Sequence, residues 1–83
     1  MGKSLSYEII GCAMKVYYHL GPGLLESAYE LALKYELEKK GFKVDTQVPL
    51  HFKYGSVDLG CVYRMDMVVE DTVIIELKSV EAF

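Results

Sequence analysis

An aspartate, Asp66, and a Glu-x-Lys pair, Glu76 and Lys78, stand on two neighbouring short apolar runs near the C-terminal end of this 83-residue chain. Two carboxylates and an ammonium on adjacent strands can hold a divalent metal ion and a water molecule beside a phosphodiester. The same three side chains could instead form a solvated strand face with a cross-strand ion pair of small energetic value. Their spacing alone leaves both readings open, so the elements that position them have to decide.

Side-chain alternation supplies a register test. From Leu59 to Val69 the odd positions are nearly all apolar, whereas Gly60, Arg64 and Asp66 fall on even positions, with Val62 and Val68 beside them. On the next run Val73, Ile75 and Leu77 share one face, and Ile74, Glu76 and Lys78 share the other. Strand residues alternate between faces, so the apolar faces coincide only if opposed residues have matching parity. Asp66 then pairs with Glu76, and Val68 with Ile74. A two-residue turn would oppose Asp66 to Ile75 and split the faces. The expected connection is therefore odd in length, most simply Glu70-Asp71-Thr72, or a bulge that restores parity. The core and the candidate site demand the same register.

Two helices precede these strands. Ser4 or Ser6 can cap the first, with Glu8 in its opening turn. Ile9, Ala13, Val16 and Leu20 recur at helical spacing as its inner stripe, and Gly21-Pro22-Gly23 ends it. A second helix is expected from about Leu24 to Lys40, with Ala28, Leu31, Ala32 and Tyr35 inward and Gly41 just past its end. Phe42, Val44, Thr46, Val48, Leu50 and Phe52 then alternate with Lys43, Asp45, Gln47, Pro49, His51 and Lys53 as a strand. Pro49 donates no main-chain hydrogen bond, which points to a sheet edge or to a break in the strand there. Tyr54-Gly55-Ser56 turns the chain into the next strand. The expected fold is α/β of the α+β type: two N-terminal helices packed on a three-stranded antiparallel meander, forming a single domain over residues 1–83.

Composition narrows the partners. With 52% apolar and 25% charged residues the chain reads as an ordinary soluble globular protein. No apolar run approaches the roughly 20 residues that span a bilayer, so no membrane association is expected. A net charge of −3 gives no basic footprint for a passive nucleic-acid binder. An acidic metalloenzyme remains compatible, because bound cations neutralise carboxylates and attract phosphate. Cys12 and Cys61 are far apart with no C-x-x-C spacing, and read as two buried thiols in a reducing cytoplasm. His19 and His51 have no metal-ligand spacing, and the seven tyrosines are dispersed rather than arranged for base stacking.

Gly23-Leu24-Leu25-Glu26-Ser27-Ala28-Tyr29 resembles the signature of the GxxExxY proteins, a branch of the PD-(D/E)XK nuclease-like superfamily. Glu36-Leu37, Gly41, Val44, Gln47 and Val48 match its continuation. Tyr63-Arg64-Met65-Asp66 and Ile75-Glu76-Leu77-Lys78-Ser79-Val80 match its two core motifs. The resemblance runs from the first helix to Val80, and the motifs are specific as a set.

The resemblance implies a restriction-endonuclease-like core that binds nucleic acid and hydrolyses phosphodiester bonds with Mg²⁺ or Mn²⁺. Asp66 and Glu76 would ligate the metal, Glu26 would be an auxiliary carboxylate, and the Leu77 carbonyl could add a ligand. Lys78 would orient and help deprotonate the attacking water or stabilise phosphate charge. Arg64 and Gln47 are weaker candidates for phosphate or carboxylate contacts. Relatives continue past the Glu-x-Lys strand into a further helix and strand, whereas this sequence stops at Phe83. That departure leads us to expect an exposed strand edge, an inactive short form, or a homodimer through that edge or the helical faces. The competing function class is a non-catalytic oligomerising or regulatory domain that keeps the nuclease scaffold. Glu26 would then be a first-turn carboxylate favoured by the helix dipole, and Tyr29 and Arg64 would serve packing and surface pairing.

Overall fold

Ser4 starts the first helix: its hydroxyl accepts the Tyr7 main-chain N–H at 3.2 Å, satisfying one of the N–H groups that a helix leaves without an internal partner. The structure is a computed structural model that describes residues 4–77. Helix α1 covers Leu5–Leu20 and ends at Gly21, whose backbone sits at φ 71° and whose N–H returns to the Tyr17 carbonyl at 2.7 Å. Helix α2 covers Glu26–Lys39. It closes with the Phe42 N–H on the Leu37 carbonyl at 3.1 Å and the Gly41 N–H on the Glu38 carbonyl at 2.9 Å. That doubled return is a Schellman end, and it needs the left-handed φ of 93° that Gly41 adopts without a Cβ clash.

The helices are followed by β1 (Val44–Tyr54), β2 (Val57–Val69) and β3 (Val73–Ile75), antiparallel in the order β1-β2-β3. This is the expected α+β meander, with Pro49 on a strand at the edge of the described sheet. Val68 lies opposite Ile74 and Val69 opposite Val73, so the connection has the odd length that parity requires. Glu70 and Asp71 take φ of 54° and 55°, and the Thr72 N–H bonds the Val69 carbonyl at 3.0 Å. Two successive left-handed residues closed in this way carry the signature of a type I′ turn. Lys43, just before β1, braces it: its N–H meets the Glu70 carboxylate, its carbonyl accepts the Glu70 N–H, and its Nζ lies 3.0 Å from Asp71.

The core gathers Ile9, Cys12 and Val16 from α1, Leu33 and Leu37 from α2, Val44 from β1, and Met67 and Val69 from β2. Burying a Leu, Met or Val side chain fully contributes about 1.5–3 kcal/mol, so these few residues dominate the stability of a small fold. Lys15–Glu36 at 3.1 Å and Glu8–Lys40 at 2.9 Å link α1 to α2 in reversed order, as antiparallel neighbours do.

Three expectations about faces are corrected. In α1, Cys12 is buried in the stripe, whereas Ala13 and Leu20 are exposed. In α2, Leu33 and Leu37 point inward, while Leu31 and Tyr35 are 67% and 62% exposed. Both pairs recur at i, i+4, so α2 offers two apolar stripes, and the position of the sheet rather than the periodicity selects one. In β2, Leu59, Cys61 and Tyr63 are exposed although they share parity with buried Met67 and Val69. Register shifts between Leu50 and His51 and between Phe52 and Lys53 break the alternation there, and the distal arm of β1 and β2 lies beyond the helices' buried residues. Cys12 is thus a buried thiol and Cys61 an exposed one. The second helix also begins two residues later than Leu24, because Gly23 at φ 94° and extended Leu25 keep the chain out of the helix until Glu26. Among the described residues no helix is long and apolar enough to cross a membrane.

Candidate functional site

The β2–β3 ladder runs as far as Met67 opposite Ile75, and one step beyond it Asp66 and Glu76 meet. The Leu77 N–H donates to Asp66 Oδ2 at 2.8 Å, and the Asp66 N–H donates to Glu76 Oε2 at 3.3 Å. Each carboxylate therefore accepts a main-chain N–H from the other segment. Charge-assisted bonds of this kind are stronger than neutral ones and orient the acceptor oxygens. Glu76 Oε1 accepts a further hydrogen bond from the Tyr63 hydroxyl.

Helix α2 brings its first turns to the same region. Glu26 is its first residue, where the positive end of the helix dipole favours a carboxylate. Ser27 and Glu30 lie on that face, since residues three and four apart are neighbours on a helix. Tyr29 fixes the approach of the chain into α2: its half-buried hydroxyl donates to the Gly21 carbonyl and accepts the Leu24 N–H at 3.3 Å. In the stretch from Gly23 to Tyr29, the glycine supplies a left-handed backbone, the glutamate opens the helix, and the tyrosine ties down the loop before it.

Gln47 approaches from β1. It holds a left-handed backbone, φ 53°, inside a strand. The ladder pairs Thr46 with Met67 and Val48 with Met65, so the irregularity falls opposite Asp66. The Gln47 side-chain Nε2 donates to Glu30 Oε1 at 2.9 Å and thereby connects sheet to helix.

These elements enclose a cleft of about 180 Å³ lined by Glu26, Ser27, Glu30, Gln47, Asp66 and Leu77. Three carboxylates line it. Of the residues expected from sequence, Glu26, Asp66, Gln47 and Leu77 thus share one cavity. Glu76 stands beside it through its bond to the Asp66 main chain rather than in its lining. Arg64 is exposed on β2 opposite Pro49. Lys78 lies outside the described residues. Ser27, at an unspecified position of the Gly23–Tyr29 stretch, and Glu30, beyond it, are not singled out by the sequence, although Glu30 follows Glu26 by one helical turn, a spacing that could flag it. Alternation puts Tyr63 on the apolar face, and nothing in that pattern points to its bond with Glu76.

The three carboxylates of the lining, Glu26, Glu30 and Asp66, are oxygen donors of the kind preferred by Mg²⁺ and other hard cations. Among the described residues, however, no group of three or more His, Cys, Asp or Glu side chains stands close enough together to hold a metal ion. The residues fit such a cation by donor type, with Glu76 turned onto β2.

The family model of the PD-(D/E)XK nuclease superfamily matches residues 3–83, almost the whole chain. No curated protein and no solved structure matches it. A match of that extent, together with two helices leading into an antiparallel meander that brings Asp66 and Glu76 together, assigns the family: this chain belongs to the PD-(D/E)XK nuclease superfamily.

Proposed function

We propose that this chain is a nuclease domain of the GxxExxY branch, a single unit over residues 1–83 that hydrolyses phosphodiester bonds of nucleic acid in the cytoplasm with Mg²⁺ or Mn²⁺. The observation that carries the reading is the cleft shared by Glu26 and Asp66 in a chain of this superfamily. Asp66, Glu76 and Glu26 would hold the cation, joined by the Leu77 carbonyl. When bound, a divalent cation polarises phosphate oxygens and lowers the pKa of a bound water.

The chain's own groups set the stage for that chemistry. The Leu77 N–H keeps Asp66 oriented, and the Asp66 N–H keeps Glu76 next to it. Lys78, two residues beyond Glu76, would orient the attacking water, take part in its deprotonation and stabilise phosphate charge. Arg64 and Gln47 would contact phosphate. A cleft lined by three carboxylates repels a polyanion unless a cation occupies it, which couples substrate binding to metal binding. The test is to incubate the chain with labelled single- and double-stranded DNA and RNA and Mg²⁺ or Mn²⁺. Cleavage that disappears in Asp66→Asn supports the reading, and intact substrates with a folded wild-type chain contradict it.

A second reading, a non-catalytic oligomerising or regulatory domain, is favoured by a different observation. Ile10, Met14, Tyr17 and Tyr18 form an exposed apolar stripe on α1, and Leu31 and Tyr35 one on α2. A second copy of this chain, docked on the helical faces or the strand edge, would cover these stripes. Sedimentation that gives a monomer across micromolar concentrations removes this reading.

A further inference from the structure

From His51 to Arg64 every residue except Gly60 is exposed, and none joins the buried core or packs against it. This is the distal arm of β1 and β2, two strands wide, because β3 pairs only with Met67, Val68 and Val69. A bare two-stranded hairpin is marginally stable in water. An arm of this length therefore suits a surface that something else lies against. The register sorts its side chains, since opposed residues share a face and neighbours along a strand alternate. Leu50 opposite Tyr63, Phe52 opposite Gly60 and Tyr54 opposite Val57 continue the face of Val48 and Met65. Pro49 opposite Arg64, His51 opposite Cys61 and Lys53 opposite Asp58 take the other face, on which Asp66 follows Arg64 by two residues. Apolar and aromatic groups thus extend the core face, and the basic groups form a row that ends at Asp66 in the cleft lining. At about 3.3 Å per residue, Lys53 stands about 20 Å along the strand from Gln47.

The charges of this row are available. Lys15, Lys40 and Lys43 pair with carboxylates, whereas among the described residues Lys53 and Arg64 take part in no ion pair. Asp58 is the one acid between His51 and Arg64, and its Oδ1 accepts the Gly60 N–H at 2.8 Å. The arm is locally positive on a chain of net charge −3. We infer that its basic face is a track for one strand of nucleic acid, with phosphates on Arg64 and Lys53 and a further contact from His51, leading the backbone to the cleft. This rests on the nuclease reading and extends the substrate-binding surface about 20 Å beyond the cleft. Lysine and arginine on phosphates fix the position of the strand without reading its sequence, so the track is indifferent to base identity. It also supplies, outside the cleft, the attraction for a polyanion that the three lining carboxylates withhold.

The experiment is fluorescence anisotropy of a labelled single-stranded DNA of about 20 nucleotides, long enough to run from the cleft past Lys53. Affinity is measured over a series of salt concentrations with Ca²⁺ present, for wild type, Lys53→Ala, Lys53→Ala/Arg64→Ala and Lys39→Ala. Lys39 is an exposed control at the far end of α2, about 20 Å along the helix from Glu26. Each phosphate contact contributes about 0.7 to the slope of log affinity against log salt on a single strand. The slope is expected to fall by about 0.7 in Lys53→Ala and about 1.4 in the double variant, and to stay at the wild-type value in Lys39→Ala. An unchanged slope in Lys53→Ala overturns this inference alone, because contacts at the cleft would then account for all the binding. A loss in Lys39→Ala equal to that in Lys53→Ala overturns it as well, since net charge rather than the arm would be responsible. A wild-type chain that binds no strand removes the nuclease reading and this inference with it.

Discussion

Asp66 and Glu76 hold each other through their main chains: Asp66 Oδ2 accepts the N–H of the residue that follows Glu76, and Glu76 Oε2 accepts the N–H of Asp66 itself. The two acids are thereby set side by side at the point where the β2–β3 ladder stops. A site built this way depends on the hairpin before it, and the hairpin depends on an odd-length connection that keeps both apolar faces on the core.

Tyr29 connects the two ends of the loop before α2, so Tyr29→Phe should cost about 1 kcal/mol by leaving the Gly21 carbonyl and Leu24 N–H without the hydroxyl. Chemical denaturation measures this. Because the same bonds steer the chain into α2, amide exchange around Glu26 should accelerate along with it.

The corrected inner face of α2 can be tested by truncation. Leu33→Ala removes a side chain only 3% exposed and should cost about 2–5 kcal/mol. Leu31→Ala, on the outward stripe, should fall within about 0.5 kcal/mol of wild type in a monomer. Equal losses at the two positions in urea unfolding would mean that the helix is turned differently or that its outer stripe is covered.

The β2–β3 turn stores a correctable strain. Asp71 adopts a left-handed backbone that glycine takes without a steric cost, and a non-glycine residue there loses about 1 kcal/mol. Asp71→Gly also removes the exposed ion pair with Lys43, which is worth little. The variant should therefore be more stable by about 0.5–1 kcal/mol, read as a higher urea midpoint with an unchanged slope.

The two thiols should behave differently. Cys61 is exposed and should react promptly with a disulfide reagent, whereas Cys12 should react only as the fold opens. Burial, the largest influence on Cys12, raises its thiol above the ordinary value of 9.0. The folded state then binds that proton more tightly than the unfolded chain. Its contribution is fully present below about pH 9 and is lost as pH rises through the raised folded value. Lys40, raised chiefly by its bond to Glu8, and Lys43, raised chiefly by its bond to Asp71, have the same sign. Denaturation midpoints should accordingly fall from pH 9 upward.

Much of the frame around the site is legible in the sequence because period-2 alternation is unforgiving. Parity requires a connection with an odd number of residues, and the simplest one, of three, sets Val68 opposite Ile74 as the structure has it. Ser4, Gly21 and Gly41 mark the helix ends through capping and left-handed backbone, which are local effects. The inner face of α2 is not legible, since Leu31 with Tyr35 and Leu33 with Leu37 offer equivalent stripes and a tertiary contact chooses between them. In the site, Glu26, Gln47 and Asp66 are recognisable as motif residues, and the structure lines one cleft with them. Glu30 lies outside the motifs and Tyr63, although part of one, carries no sign there of its partner, since each meets a residue distant in sequence, Gln47 for the one and Glu76 for the other.

The most direct measurement is a calorimetric titration of the chain with Mg²⁺ and Mn²⁺ beside an Asp66→Ala/Glu76→Ala double variant. Saturable binding by the wild-type chain, lost in a double variant that remains folded, is the expected result. A folded wild-type chain that takes up neither cation, or a double variant that binds as well as wild type, would contradict the assignment of Asp66 and Glu76 as the metal-holding pair.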